Sequence, residues 1–103
     1  MKRIFVCSPF GGSVSNLNKA KKLCKEVAKQ GHAPFAPHVF CSEFLDDNKP
    51  SDRELGLAIG IAFLKVCDEL WYYEGREGIT EGMRAELAVA KALGIPCKRF
   101  EVN

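Results

Sequence analysis

Two hydrophobic periods alternate along this chain, and each switch between them marks an element. Lys2–Cys7 (Lys-Arg-Ile-Phe-Val-Cys) is a short β-rich run, broken by the turn formers Ser8-Pro9-Phe10-Gly11-Gly12-Ser13. From about Leu17 to Gln30 the spacing becomes helical. Leu17, Ala20, Leu23, Cys24, Val27 and Ala28 share one face, Lys21, Lys22, Lys25 and Lys29 cluster opposite, and Gly31 ends the helix. Ala33–Phe40 contains Pro34 and Pro37, which limits it to a short strand near an edge or bulge, with His38 at or just past its end. Glu43–Lys49 is a polar loop. Pro50-Ser51-Asp52-Arg53-Glu54 then opens a second helix, with Ser51 and Glu54 spaced as a capping box. Leu70–Tyr73 reads as a third strand and Cys97–Val102 as a last one.

Two helices carry more information than the rest. The second, to about Val66, is apolar nearly all round and interrupted by Gly56 and Gly60. A helix of that kind is buried all round, so one face is expected against the sheet and the other against a second subunit. The third follows Gly78-Ile79-Thr80 and stops at Gly94-Ile95-Pro96, with Thr80 placed to cap it. On its wheel Met83, Leu87, Val89, Ala90 and Leu93 form the apolar side, and Glu86 falls between Ala90 and Leu93. A carboxylate turned toward a core costs several kcal/mol unless it is paired or opens into a polar cleft. Glu86 is therefore the first candidate for chemistry, beside the plainer reading of a first-turn Glu bonded to solvent or a loop.

Strand and helix alternate four times, which predicts a three-layer α/β fold of the flavodoxin or Rossmann kind. Its sheet would be parallel, with four to five strands in the order 2-1-3-4(-5). Ligands in such sheets bind beyond the carboxyl ends of the strands, at the switch between strands 1 and 3. The segments Cys7–Gly12, Glu74–Thr80 and Thr80–Glu86 all lead there.

Composition narrows the function classes. The chain has 103 residues, one domain's worth, with 47% hydrophobic and 27% charged. A net charge of +2 is too small to imply a nucleic-acid polymer as partner, and no apolar run approaches the roughly 20 residues of a membrane span. Five cysteines with no Cys-x-x-Cys pair suit free thiols in a reducing cytosol. His38 and Cys41 have no second ligand pair, so neither a metal nor a cofactor is expected.

Cys-Ser-Pro-Phe-Gly-Gly after the first strand, Pro-His-Val after the second, Cys-Asp-Glu-Leu-Trp into the third, and Thr-x-Gly-x-x-x-Glu before Ala-Leu-Gly-Ile-Pro resemble the nucleoside 2-deoxyribosyltransferase superfamily. The pattern is similar to its 2′-deoxynucleoside 5′-monophosphate N-hydrolase branch and to small phage and bacterial relatives of unknown function. It covers nearly the whole of 1–103 as one such domain. The resemblance implies a small-molecule nucleoside or nucleotide as ligand and Glu86 as the nucleophile on the sugar C1′. It implies further contacts from the turn Cys7, Ser8, Pro9, Phe10, Gly11 and Gly12, from His38 and Glu74, and from Thr80, Gly82 and Met83. Two positions depart from the pattern. Phe10 stands where the hydrolase branch has an Arg that meets phosphate. The superfamily's catalytic Asp on the second helix matches Gly60, or Glu54 if the helix is longer. The expected activity is cleavage or transfer at an N-glycosidic bond. The alternative is a catalytically reduced nucleotide-binding protein that senses or sequesters its ligand.

Overall fold

Strand β1 (Arg3–Cys7) is the spine of the computed structural model, which describes residues 1–100. It pairs in parallel with β2 (Ala33–Phe35) on one side and β3 (Glu69–Tyr72) on the other, and β3 pairs in parallel with β4 (Cys97–Arg99). The order β2-β1-β3-β4 is the one predicted, and β2 with its Pro34 lies at an edge. The expected last strand reached Val102. Its final residues lie outside those described.

Four helices connect the strands: α1 (Val14–Lys29), α2 (Pro37–Cys41), α3 (Pro50–Leu64) and α4 (Glu81–Ala92). Successive side chains of β1 point to opposite faces, and both faces are covered. Ile4 and Val6 pack with Leu23 and Val27 of α1 and with Ala36 and Phe100. Phe5 and Cys7 pack with Leu64 of α3, Leu70, and Met83, Leu87 and Ala90 of α4. Each such apolar side chain contributes roughly 1.5–3 kcal/mol when fully buried. This doubly wound sheet brings the loops after β1 and β3 together at its carboxyl end. Among the described residues, no helix is long and apolar enough to cross a membrane.

Three local expectations are corrected. The second strand stops at Phe35, and Pro37 starts the short helix α2, so His38 is helical. Proline at a first helical position lacks only an N–H that would be unpaired there, which is why it begins α2 where it was expected to end a strand. The same effect starts α3 at Pro50, which moves its N-cap two residues back, from Ser51 to Lys49. Lys49 is its N-cap with no side-chain bond, so the Ser51–Glu54 capping box does not form. The loop before α3 is held instead by Asp52 Oδ2 accepting from Asp46 N at 2.9 Å and by Asp46 Oδ1 accepting from Asn48 N at 3.0 Å. On α4, Leu93 is 49% exposed, because it is the C-cap and no longer on the helix face.

The amino end of the sheet carries a carboxylate of its own. Glu69 is buried, and it accepts from Lys2 Nζ at 2.6 Å, Trp71 Nε1 at 2.9 Å and Lys98 Nζ at 3.0 Å. The lysine and indole donors outweigh burial and hold its pKa down at about 2. A carboxyl depressed in the folded state stabilises the fold above its unfolded pKa, and that contribution is lost as pH falls through the folded value. Glu69→Gln is expected to cost about 1–2 kcal/mol at neutral pH, after allowing for the exposure of both lysines. The gap to the parent should close as pH falls from 4.5 to about 2. Urea unfolding across that range measures it; a gap that stays constant would contradict the ion-pair account.

Candidate active site

Beyond the carboxyl ends of β1 and β3 lies a cleft of about 570 Å³. Its walls are the β1 turn, α2, the first half of α3, and the start of α4 with the residues just before it. Thr80 caps α4, its Oγ1 accepting from Met83 N at 3.3 Å. Met83, Leu87 and Ala90 turn α4 onto the sheet, and the same rotation carries Glu86 inward until it is only 4% exposed at the cleft floor. Burial pushes its carboxyl up to about 7.

The ground around Glu86 is neutral. A Cβ on Gly60 would stand 3.6 Å from Glu86 Oε2 and 3.4 Å from Pro37 Cβ, ordinary contact distances, so α3 passes close to both and a side chain longer than alanine would meet Glu86. Below lies the Cys7 thiol, whose one proton has two candidate acceptors: the Met83 carbonyl, 3.9 Å from Sγ, and the Glu86 carboxylate. The charged group is the stronger acceptor, yet it recovers only part of what burial costs. Burial, and then the charge of Glu86, push the Cys7 thiol far up, so it is not a nucleophile.

The β1 turn supplies the opposite wall. Gly11 and Gly12 have φ of 59° and 76°, a region that favours glycine, and they let Ser13 N and Asn16 Nδ2 both reach the Phe10 carbonyl at 3.0 Å. His38 Nε2–H donates to the Ser8 carbonyl at 2.8 Å, which leaves Nδ1 as its free nitrogen. Burial lowers its pKa more than that bond and the Asp47 charge raise it, so the imidazole is neutral at pH 7. Its ring stacks on Phe10 at 4.9 Å. Ser8 is 1% exposed, and its hydroxyl has no hydrogen-bond partner among the described residues. An unpaired buried hydroxyl costs about 1–3 kcal/mol, and this one lines the cleft.

Nine of the expected residues line the cleft: Ser8, Pro9, Phe10, Gly11, His38, Thr80, Gly82, Met83 and Glu86. Four do not. Cys7 points into the core under α4, and Gly12 faces the Asn48 side chain. Glu74 lies in the loop after β3 but off the cleft wall, and Glu54 is exposed on α3. Asp52, Arg53, Gly56 and Leu57 of α3 line the cleft without having been expected there. The available signal was Gly56 and Gly60, four residues apart on one stripe of an otherwise apolar helix. Among the described residues, no group of three or more His, Cys, Asp or Glu is placed to hold a metal ion.

The family model described as "Domain of unknown function (DUF7768)" matches residues 2–100. The chain belongs to that family. No curated protein matches it. Among solved structures, a 2-deoxyribosyltransferase from the psychrotolerant bacterium Bacillus psychrosaccharolyticus superposes with a TM-score of 0.76 at 20% identity, covering 98% of this chain and 77% of that one. A 2-deoxyribosyltransferase from Leishmania mexicana gives 0.67 at 18% identity, covering all of this chain and 66% of its own. This DUF7768 member therefore has the nucleoside 2-deoxyribosyltransferase-like fold. At these identities the likeness is one of fold.

The state of Glu86 has a direct consequence for stability. A carboxyl raised above its unfolded pKa leaves stability intact at low pH and removes it as pH climbs from the unfolded to the folded value. Glu86→Gln is thus expected to stabilise the protein at pH 8 by roughly 2–3 kcal/mol, since each pKa unit is worth about 1.4 kcal/mol. The gain should shrink to little or nothing below pH 4.5, the ordinary value for this carboxyl. Melting curves at the two pH values decide it. Destabilisation at pH 8 would instead mark Glu86 as a paired, structural carboxylate.

Proposed function

We propose that this protein cleaves or transfers at the N-glycosidic bond of a nucleoside or nucleotide, with Glu86 as the nucleophile on the sugar C1′. The observation that carries the reading is a buried, unpaired carboxylate at the floor of a cleft whose opposite wall holds an unpartnered hydroxyl. Attack forms a bond from a Glu86 oxygen to C1′ as the C1′–N bond breaks toward the base. Water, or a second base, then takes the sugar and returns the carboxylate. Desolvation makes the ionised form reactive and sets its pKa near neutrality, where both halves of the cycle can run. The likeness in fold to two 2-deoxyribosyltransferases supports nucleoside-related glycosyl transfer at a coarse level.

Gly60 favours a second reading. Where α3 approaches Glu86 it offers no acid to protonate a departing base, and loss of such help costs typically 10²–10⁴-fold. A protein that binds a nucleotide and turns it over negligibly would share this geometry.

Free-base release from a panel of nucleosides and 5′-nucleotides, followed by chromatography, separates the two. The enzyme reading expects release that rises with pH through about 7, as Glu86 ionises, and that falls by orders of magnitude in Glu86→Gln. Ligand at about 100 times its dissociation constant adds roughly 2.7 kcal/mol and should raise the melting temperature of both proteins. A shift without release from either supports the binding protein. Neither shift nor release with any member of the panel would falsify both readings.

The proposal includes a symmetric oligomer built on α3. Leu55, Leu57 and Phe63 of α3 and Val66 just after it are 39–53% exposed, with Phe40 meeting both Phe44 and Phe63 edge-on. A patch of this kind is large for a small monomer to leave in water. Sedimentation at micromolar concentration is expected to give a multiple of 11.4 kDa, and Phe63→Glu to reduce it. A parent protein that sediments at 11.4 kDa removes this part of the proposal.

A further inference from the structure

The cleft is acidic and lacks an acid where a leaving group would need one. Asp47, Asp52, Glu77, Glu81 and Glu86 line it, against a single guanidinium, Arg53. That guanidinium is already committed, donating to the Asp47 carbonyl at 3.0 and 3.3 Å and lying 4.0 Å from the Asp47 carboxylate. The field in the cleft therefore attracts cations and repels a phosphate dianion. The Phe10 ring also lines the wall, and an aromatic face is attractive to a cation. Ser8 lines the same cleft, and its buried hydroxyl without a partner is a second, independent pointer to a ligand there.

Close to the Glu86 carboxylate stand Gly60 of α3, which also meets Pro37, and the Cys7 thiol. His38 is the one imidazole on the wall, and its Nε2 proton is held by the Ser8 carbonyl. Neither Gly60, where α3 passes the nucleophile, nor the Cys7 thiol, pushed far up by burial, can give a proton to a departing base. A neutral purine or pyrimidine nucleoside requires that proton, because otherwise the base must leave as an anion.

Resting on the glycosyl-transfer reading, we infer that the substrate is a cationic nucleoside, whose base is quaternised at a ring nitrogen and carries no 5′-phosphate. As the Glu86 oxygen bonds to C1′, the C1′–N pair moves into the positively charged ring, and the base departs neutral with no proton added. Water then attacks C1′, the carboxylate leaves, and one proton passes to solvent. The acidic wall holds the cation, and the missing acid is not needed.

The test compares cationic with neutral nucleosides: 7-methylguanosine against guanosine, of nearly the same shape, and nicotinamide riboside against inosine, with Glu86→Gln as control for spontaneous loss. Glu86-dependent release is expected from the cationic members, at least about 100-fold above the neutral ones in kcat/KM. The double variant Glu77→Gln/Glu81→Gln removes two exposed charges from the rim. It should raise KM for nicotinamide riboside severalfold with kcat little changed, and added salt should do the same. The KM change is a readout that the intrinsic lability of a cationic substrate would not move. Equal release from guanosine and inosine, or a KM indifferent to the two charges, overturns this inference and leaves glycosyl transfer standing. Faster release from nicotinamide mononucleotide than from the riboside also overturns it. Release from no member of the set overturns this inference; glycosyl transfer itself falls only if the wider panel of nucleosides and 5′-nucleotides, deoxyribosides included, also gives none.

Discussion

Everything in this molecule hangs on β1, hydrogen-bonded on both edges, by β2 and by β3, and covered on both faces. Ile4, Phe5, Val6 and Cys7 have no exposed surface. A strand so enclosed has no polar side, and its last residue hands the chain directly into the cleft wall. Whatever chemistry the protein performs must be built where that enclosure ends, since only there does polar backbone meet open space.

Two buried carboxylates, at opposite ends of the same sheet, show how environment divides the roles of like groups. Glu69 sits among two lysines and an indole, and its charge is fully used in joining β1, β3 and β4. Glu86 lies beside glycine and a thiol, and the thiol's hydrogen bond offsets only part of what burial costs its charge. The first arrangement strengthens the fold. The second weakens it above pH 4.5 or so, a pattern found where a site is kept reactive at the expense of stability.

Helix α3 serves the core, the cleft and the exterior at once. Leu64 is fully buried against the sheet, Gly60 lets Glu86 and Pro37 come close, and Leu55 and Phe63 face outward. Its unbroken apolar character is a superposition of these demands. Simple amphipathicity would have satisfied only the first.

The layered architecture was legible in sequence because it depends on local periodicity. The short unbroken apolar run Ile4–Cys7 and the helical spacing of Met83, Leu87 and Ala90 hold whatever lies across from them, and short crossovers leave few strand orders. Glu86 stood out for the same reason, as a carboxylate on an apolar stripe. The partners of that stripe were not legible. That Gly60 rather than an acid faces Glu86, that Pro37 begins a helix, that Arg53 turns back to Asp47, and that the Ser8 hydroxyl is left without a partner all follow from how separate elements meet. Those meetings are set by packing across tens of residues, and no local spacing along the chain encodes them.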